Sequence, residues 1–88
     1  MVEPLIILAE ECAEVVQAVS KLQRFGIDDA KNIKALENEI GDVLAMLVIL
    51  DHYDYLDSDK IMERVPIKLR KLKKYSNIKG LDSIIENL

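Results

Sequence analysis

Acidic side chains at helical spacing are the residues in this sequence best suited to chemistry. Glu10, Glu11 and Glu14 fall in one segment, and Glu39 and Asp42 in another. At about 100° per residue, acids three apart face one side of a helix. Their neighbours four residues on do not suit a solvated salt-bridge face. Glu10 is followed by Glu14, a like charge; Glu11, Glu14, Glu39 and Asp42 are followed by Val15, Ala18, Val43 and Met46. No acid of the set meets a Lys or Arg at the favourable spacing. Carboxylates gathered without cations repel, and their pKa values rise unless a cation arrives. A hard divalent ion answers that need, because Mg²⁺ takes oxygen ligands and usually keeps several waters for a phosphate substrate. The plainer alternative is that these acids only keep two helix faces soluble. That is the commoner role for any pair of helices, and the missing partners bring the two readings level.

Two long helices must position these acids. The first is expected from Pro4 to Phe25, with Pro4 in the first turn and Gly26 as the stop. Leu5, Leu8, Cys12, Val15, Val19 and Leu22 recur at steps of three and four, the mark of one buried stripe. This stripe places Cys12 in the core. Asp28 or Asp29 can cap a second helix running to Asp51, with the stripe Ile33, Leu36, Ile40, Val43, Leu44, Leu47 and Leu50. In each helix the acids border the stripe, so antiparallel packing brings four carboxylates together at a rim. Gly41, inside the second helix, costs roughly 1 kcal/mol relative to Ala, which suggests close packing or a ligand.

Residues 51–57 read as a polar and aromatic connector. Within it His52, Tyr53 and Tyr55 are expected to take surface or packing roles rather than chemical ones. Ser58 can cap a third helix, and Pro66 should kink or restart it, because proline lacks the N–H and clashes with the preceding turn. The second piece then runs to Tyr75. Ser76, Asn77 and Gly80 mark a break before a short terminal helix. The expected fold is all-α: a small bundle of two long antiparallel helices and a Pro-interrupted third, forming one domain over 1–88 and completed by oligomerisation.

Bulk properties fit this reading. The chain has 88 residues, half of them hydrophobic, and only three Gly and two Pro. So short a domain buries a limited core. Its apolar supply calls for a partner surface, and a homo-oligomer is expected. A single cysteine excludes an intrachain disulfide. The apolar run 43–50 is too short for a bilayer span of about 20 residues, and no secretory leader pattern is evident. A cytoplasmic protein with no membrane partner is expected. The net charge of −4 hides segregation: residues 1–63 carry 14 acids and five bases, whereas 64–80 carry seven bases and no acid. Such a chain can hold a cation and a polyanion side by side.

Glu10-Glu11-x-x-Glu14, followed after 24 residues by Glu39-x-x-Asp42, resembles the motif of the MazG-like all-α nucleoside triphosphate pyrophosphohydrolases. LAEECAEVVQAVSKLQRFG is similar to the first motif helix of short, phage-type members. LENEIGDVLAMLVIL is similar to the second, and KLRKLKKYSN to their basic C-terminal stretch. The resemblance covers about residues 5–79. It implies Glu11, Glu14, Glu39 and Asp42 as ligands of Mg²⁺ (or Mn²⁺) and Glu10 as the further acid that activates or orients water. It implies Lys71 and Lys74 as contacts to substrate phosphates, and assembly as a homodimer or homotetramer with sites at or near subunit interfaces. The implied reaction converts a nucleoside triphosphate to the monophosphate and pyrophosphate. Phe25, His52, Tyr53, Tyr55 and Tyr75 are candidates to meet the base.

Two other readings stand beside the enzyme. A helical interaction module would use the apolar stripes as an oligomer core and leave the acids as a solvated surface. A nucleic-acid binder would work through the basic segment 64–80. Against the latter, the acidic body repels a long polyanion and stacking aromatics are scarce.

Overall fold

The computed structural model describes residues 2–88. Four helices follow in order: α1 (Glu3–Phe25), α2 (Ala30–His52), α3 (Ser58–Tyr75) and α4 (Leu81–Glu86). No strand occurs among the described residues, as the all-α expectation required. Among them, no helix is long and apolar enough to cross a membrane.

Local chemistry accounts for the helix ends. Pro4 sits in the first turn of α1, where its missing N–H costs nothing. Gly26 ends the helix at φ 96°, a backbone that side-chain-bearing residues rarely adopt, and its N–H donates to the Leu22 carbonyl at 2.8 Å. Asp29 is the cap of α2: its Oδ1 accepts from the Asn32 N–H at 3.1 Å. The cap of α3 is Asp57 rather than Ser58. Its carboxylate accepts from the Asp59 and Lys60 N–H groups at 2.9 and 3.4 Å, leaving Ser58 as the first helical residue. A carboxylate one position earlier reaches two free N–H groups and also favours the positive end of the helix dipole.

Pro66 lies inside α3 as expected, yet the helix runs continuously to Tyr75 instead of restarting. The carbonyl deprived of its helical partner is that of Met62. Met62 is exposed, so water can meet that group. Beyond α3, the Ser76 hydroxyl donates to the Leu72 carbonyl at 2.6 Å and helps close the helix.

The chain divides into two compact units, residues 1–56 and 57–88. In the first, α1 and α2 pack antiparallel through the short turn 26–29. Ala18 and Leu22 of α1, with Met46 and Leu50 of α2, are its buried residues, and Leu50 is fully enclosed. In the second, α3 packs with α4, whose Leu81 is buried.

The expected stripe on α1 is rotated. Val15 and Leu22 face inward, but Leu5, Cys12 and Val19 are exposed. Cys12 is therefore a surface residue, not a core one. The apolar surface of α1 is wider than the seam that α2 can cover, and packing used the other edge, through Ala18. On α2 the same asymmetry leaves Ile40 and Leu44 exposed while Met46 is buried.

Candidate metal centre

The contact seam of the hairpin explains how the acids meet. On α1, Glu11, Val15, Ala18 and Leu22 follow at steps of four, three and four. On α2, Glu39, Val43, Met46 and Leu50 repeat the same steps. Each series ends in a buried leucine and begins in a half-buried glutamate. Glu11 and Glu39 are thus half-buried at the middle of the hairpin, with apolar contacts running from them toward its opposite ends. Antiparallel packing holds them against each other.

One carboxylate oxygen from each of Glu11, Glu14 and Glu39 lies within 4.8 Å of the other two. Glu14, on the outer side of α1, is exposed, as are Asp42 and Glu10. Asp42 is outside this convergent trio, yet close enough that its charge acts on both Glu11 and Glu39.

The electrostatics are those of an acid cluster lacking a cation. Burial pushes the Glu11 carboxyl above its ordinary value of 4.5, and the charges of Glu14, Asp42 and Glu10 add to the rise. A side-chain hydrogen bond with Glu14 raises Glu39, followed by burial and the charges of Glu14, Asp42 and Glu11. Ionised carboxylates only accept, so that bond exists only while one of the pair holds a proton. Both Glu11 Oε2 and Glu39 Oε2 are buried without a hydrogen-bond partner. Among the described residues no Lys or Arg pairs with any of the four acids; the ion pair present joins Lys73 to Asp82. Buried acceptors with no donor are costly, and a divalent cation is the group that satisfies several at once. The donor set is all oxygen, which suits Mg²⁺ or Mn²⁺ over softer metals.

The other expected site residues lie elsewhere. Lys71 and Lys74 are exposed on α3, within the second unit, and share an open cavity with Ile67, Arg70 and Tyr75. Arg70 belongs to the basic run 64–80, and its position beside the two lysines adds it to the phosphate-contact candidates Lys71 and Lys74. His52 and Tyr53 stack edge to face at 4.8 Å at the end of α2, and Tyr53 and Tyr55 are exposed. His52 is the last residue of α2, one beyond the expected end at Asp51, whereas Tyr53 and Tyr55 lie in the connector as expected. Phe25 is also exposed, with Arg24 lying over its ring.

A helical hairpin that focuses glutamates from both arms on one point defines an all-α protein with a candidate site for a hard divalent ion. Residues 4–76 match the model of the MazG nucleotide pyrophosphohydrolase domain, and the chain belongs to that family. The match crosses the boundary between the two compact units. No curated protein and no solved structure matches the chain.

Proposed function

We propose that this chain is a Mg²⁺-dependent pyrophosphohydrolase that converts nucleoside or deoxynucleoside triphosphates to monophosphates and pyrophosphate, with residues 1–88 acting as one domain. The observation that carries this reading is the convergence of Glu11, Glu14 and Glu39 with no basic residue among them. Membership of the MazG family supplies the nucleotide and the divalent metal.

In this reading Glu11, Glu14 and Glu39 would hold the ion, with Asp42 as the fourth ligand. A divalent ion held there would supply positive charge for the phosphates and Lewis acidity at the attacked phosphorus. Glu10 flanks the cluster, is exposed, and serves as the base that orients or deprotonates the attacking water. Lys71 and Lys74 offset the charge of the outer phosphates, a task suited to ammonium groups as point charges. The proton leaves with Glu10, and the departing pyrophosphate takes the bond electrons. Positioning and charge do most of the work, and no covalent enzyme intermediate is needed.

A screen for pyrophosphate release over common nucleoside and deoxynucleoside triphosphates, with and without Mg²⁺, tests this reading. Release that requires the metal is the expected result. Absence of release from every nucleotide, in protein shown to be helical by circular dichroism, would end it.

A further inference from the structure

Pro66 is the ninth of the 18 residues of α3, yet the helix is continuous through it. Proline removes one helical hydrogen bond and crowds the preceding turn. The stretches on either side, 58–65 and 67–75, are each shorter than the roughly 12–15 residues at which an isolated helix is marginal in water. No residue of α3 is buried, so its own side chains supply little of what the proline removes.

The second unit holds one other helix, and it spans this weak point. α4 packs on α3, and its first residue, Leu81, is buried. Asp82 pairs with Lys73, two turns beyond Pro66. At the other end of α4, Ile85 and Glu86, with Leu88 after them, line one open cavity of about 490 Å³ with Met62, Val65, Pro66 and Arg70. The C-terminal segment thus runs back along α3, fixed beyond the proline and reaching the turn before it. Both side chains of the Lys73–Asp82 pair are more than half exposed, so the pair holds little by itself and Leu81 carries the anchorage.

α4 also leaves the basic face alone. At about 100° per residue, Pro66 and Lys73 lie about 140° and about 160° around the helix from Lys71. The cavity beside Lys71 and Lys74 is lined by α3 residues. α4 therefore lies behind the basic face rather than on it. Residues 77–88 fall outside the family match, which ends at residue 76, so membership of the family does not account for them.

We propose that residues 77–88 are a splint that holds α3 on one axis through Pro66, and that Leu81 is thereby a positioning residue for Lys71 and Lys74. The second part rests on the phosphate role given to those lysines above. The first part stands without it.

A double-mutant cycle on the full chain tests the splint by amide hydrogen exchange. Leu81→Ala is expected to speed exchange of the amides of residues 67–70 roughly tenfold, while α1 and α2 keep their protection. Pro66→Ala restores the missing N–H, so in that background the same Leu81 change should have little effect on those amides. Unchanged exchange in Leu81→Ala, or an equal gain with and without Pro66, overturns the splint. Should Leu81→Ala also unfold the hairpin, the milder Leu81→Val carries the same comparison. Turnover tests the positioning: Leu81→Ala should raise KM for the triphosphate several-fold at unchanged kcat, and Pro66→Ala should cancel the rise. A fall in kcat at unchanged KM overturns that part. A wild type that releases no pyrophosphate refutes the hydrolase reading and with it the positioning role, and hydrogen exchange still decides the splint.

Discussion

At the residue scale the central fact is the placement of Glu11 and Glu39. Each occupies a position that the rest of its helix fills with apolar contacts, and each keeps one buried oxygen without a partner. A glutamate held this way is stabilised by a cation or by a proton. Glu39→Gln and Asp42→Asn should each lower Mg²⁺-dependent pyrophosphate release roughly a hundredfold or more, since even groups that only orient metal ligands are worth up to that factor. Circular dichroism should stay helical in both. Wild-type rates in either variant would remove that residue from the metal assignment. Glu10→Gln separates base from ligand: turnover should fall while the Mg²⁺-induced rise in melting temperature persists.

The acid spacing made these residues legible before any fold was known. Their depth was not legible. The expected stripe on α1 holds Leu5, Leu8, Cys12, Val15, Val19 and Leu22; packing keeps Val15 and Leu22, adds Ala18 and leaves Leu5, Cys12 and Val19 exposed. That choice among apolar edges depends on which one α2 meets.

At the element scale, the hairpin of α1 and α2 carries a charge penalty that varies with pH. The raised Glu11 and Glu39 carboxyls bind protons more tightly in the folded chain than in the unfolded one. Their contribution therefore favours folding at low pH and is lost as pH rises from about the ordinary value of 4.5 through the raised folded values. Without metal, this pair makes the melting temperature fall toward neutral pH. Added Mg²⁺ should raise it, more at neutral pH than near the ordinary carboxylate pKa. Thermal melts across pH, with and without Mg²⁺, check the sign. Glu39→Gln should raise the metal-free melting temperature at neutral pH and reduce the Mg²⁺ response.

The caps are a second matter for the elements. Asp29→Ala removes the bond to the Asn32 N–H and should cost about 1 kcal/mol in denaturant unfolding. Helix caps were readable to within one residue, as Asp57 in place of Ser58 shows. Several polar side chains in sequence can each serve, and the backbone angle at the entry selects one.

At the scale of the whole molecule, the exposed apolar residues are the unresolved load. Val16, Leu44 and Val48 are 65%, 55% and 69% exposed, and Leu5, Cys12, Val19 and Ile40 add to the apolar surface of the hairpin. Isolated surface apolar residues are ordinary, but a hairpin carrying this many along both helices is not. The expected homo-oligomer, dimer or tetramer, would cover them. Light scattering should give a multiple of the monomer mass, and Val16→Lys with Leu44→Lys should shift it toward the monomer. A wild-type monomer would return these residues to solvent and refute the assembly.

Gly41 supplies an independent check at the same scale. A Cβ built there meets nothing within 4 Å, so among the described residues nothing packs closely against this backbone. Gly41→Ala should therefore stabilise an isolated chain by about 1 kcal/mol. If a second subunit or a ligand approaches this backbone, the same change should weaken assembly or binding instead, and concentration-dependent melts separate the two.

By itself the sequence determined that the chain is helical, most helix ends to within a residue, that acids recur at matching positions on two of the helices, and that cations gather on the third. These are local properties, set by side-chain spacing, capping groups and charge within a few turns of one helix. Only the tertiary structure decided which edge of each helix is buried, that Glu11, Glu14 and Glu39 converge with Asp42 beside them, and that Cys12 faces outward. The reason is that both helices have apolar surface to spare. Many rotations satisfy their patterns equally, and only the fit of one side-chain surface against the other selects among them.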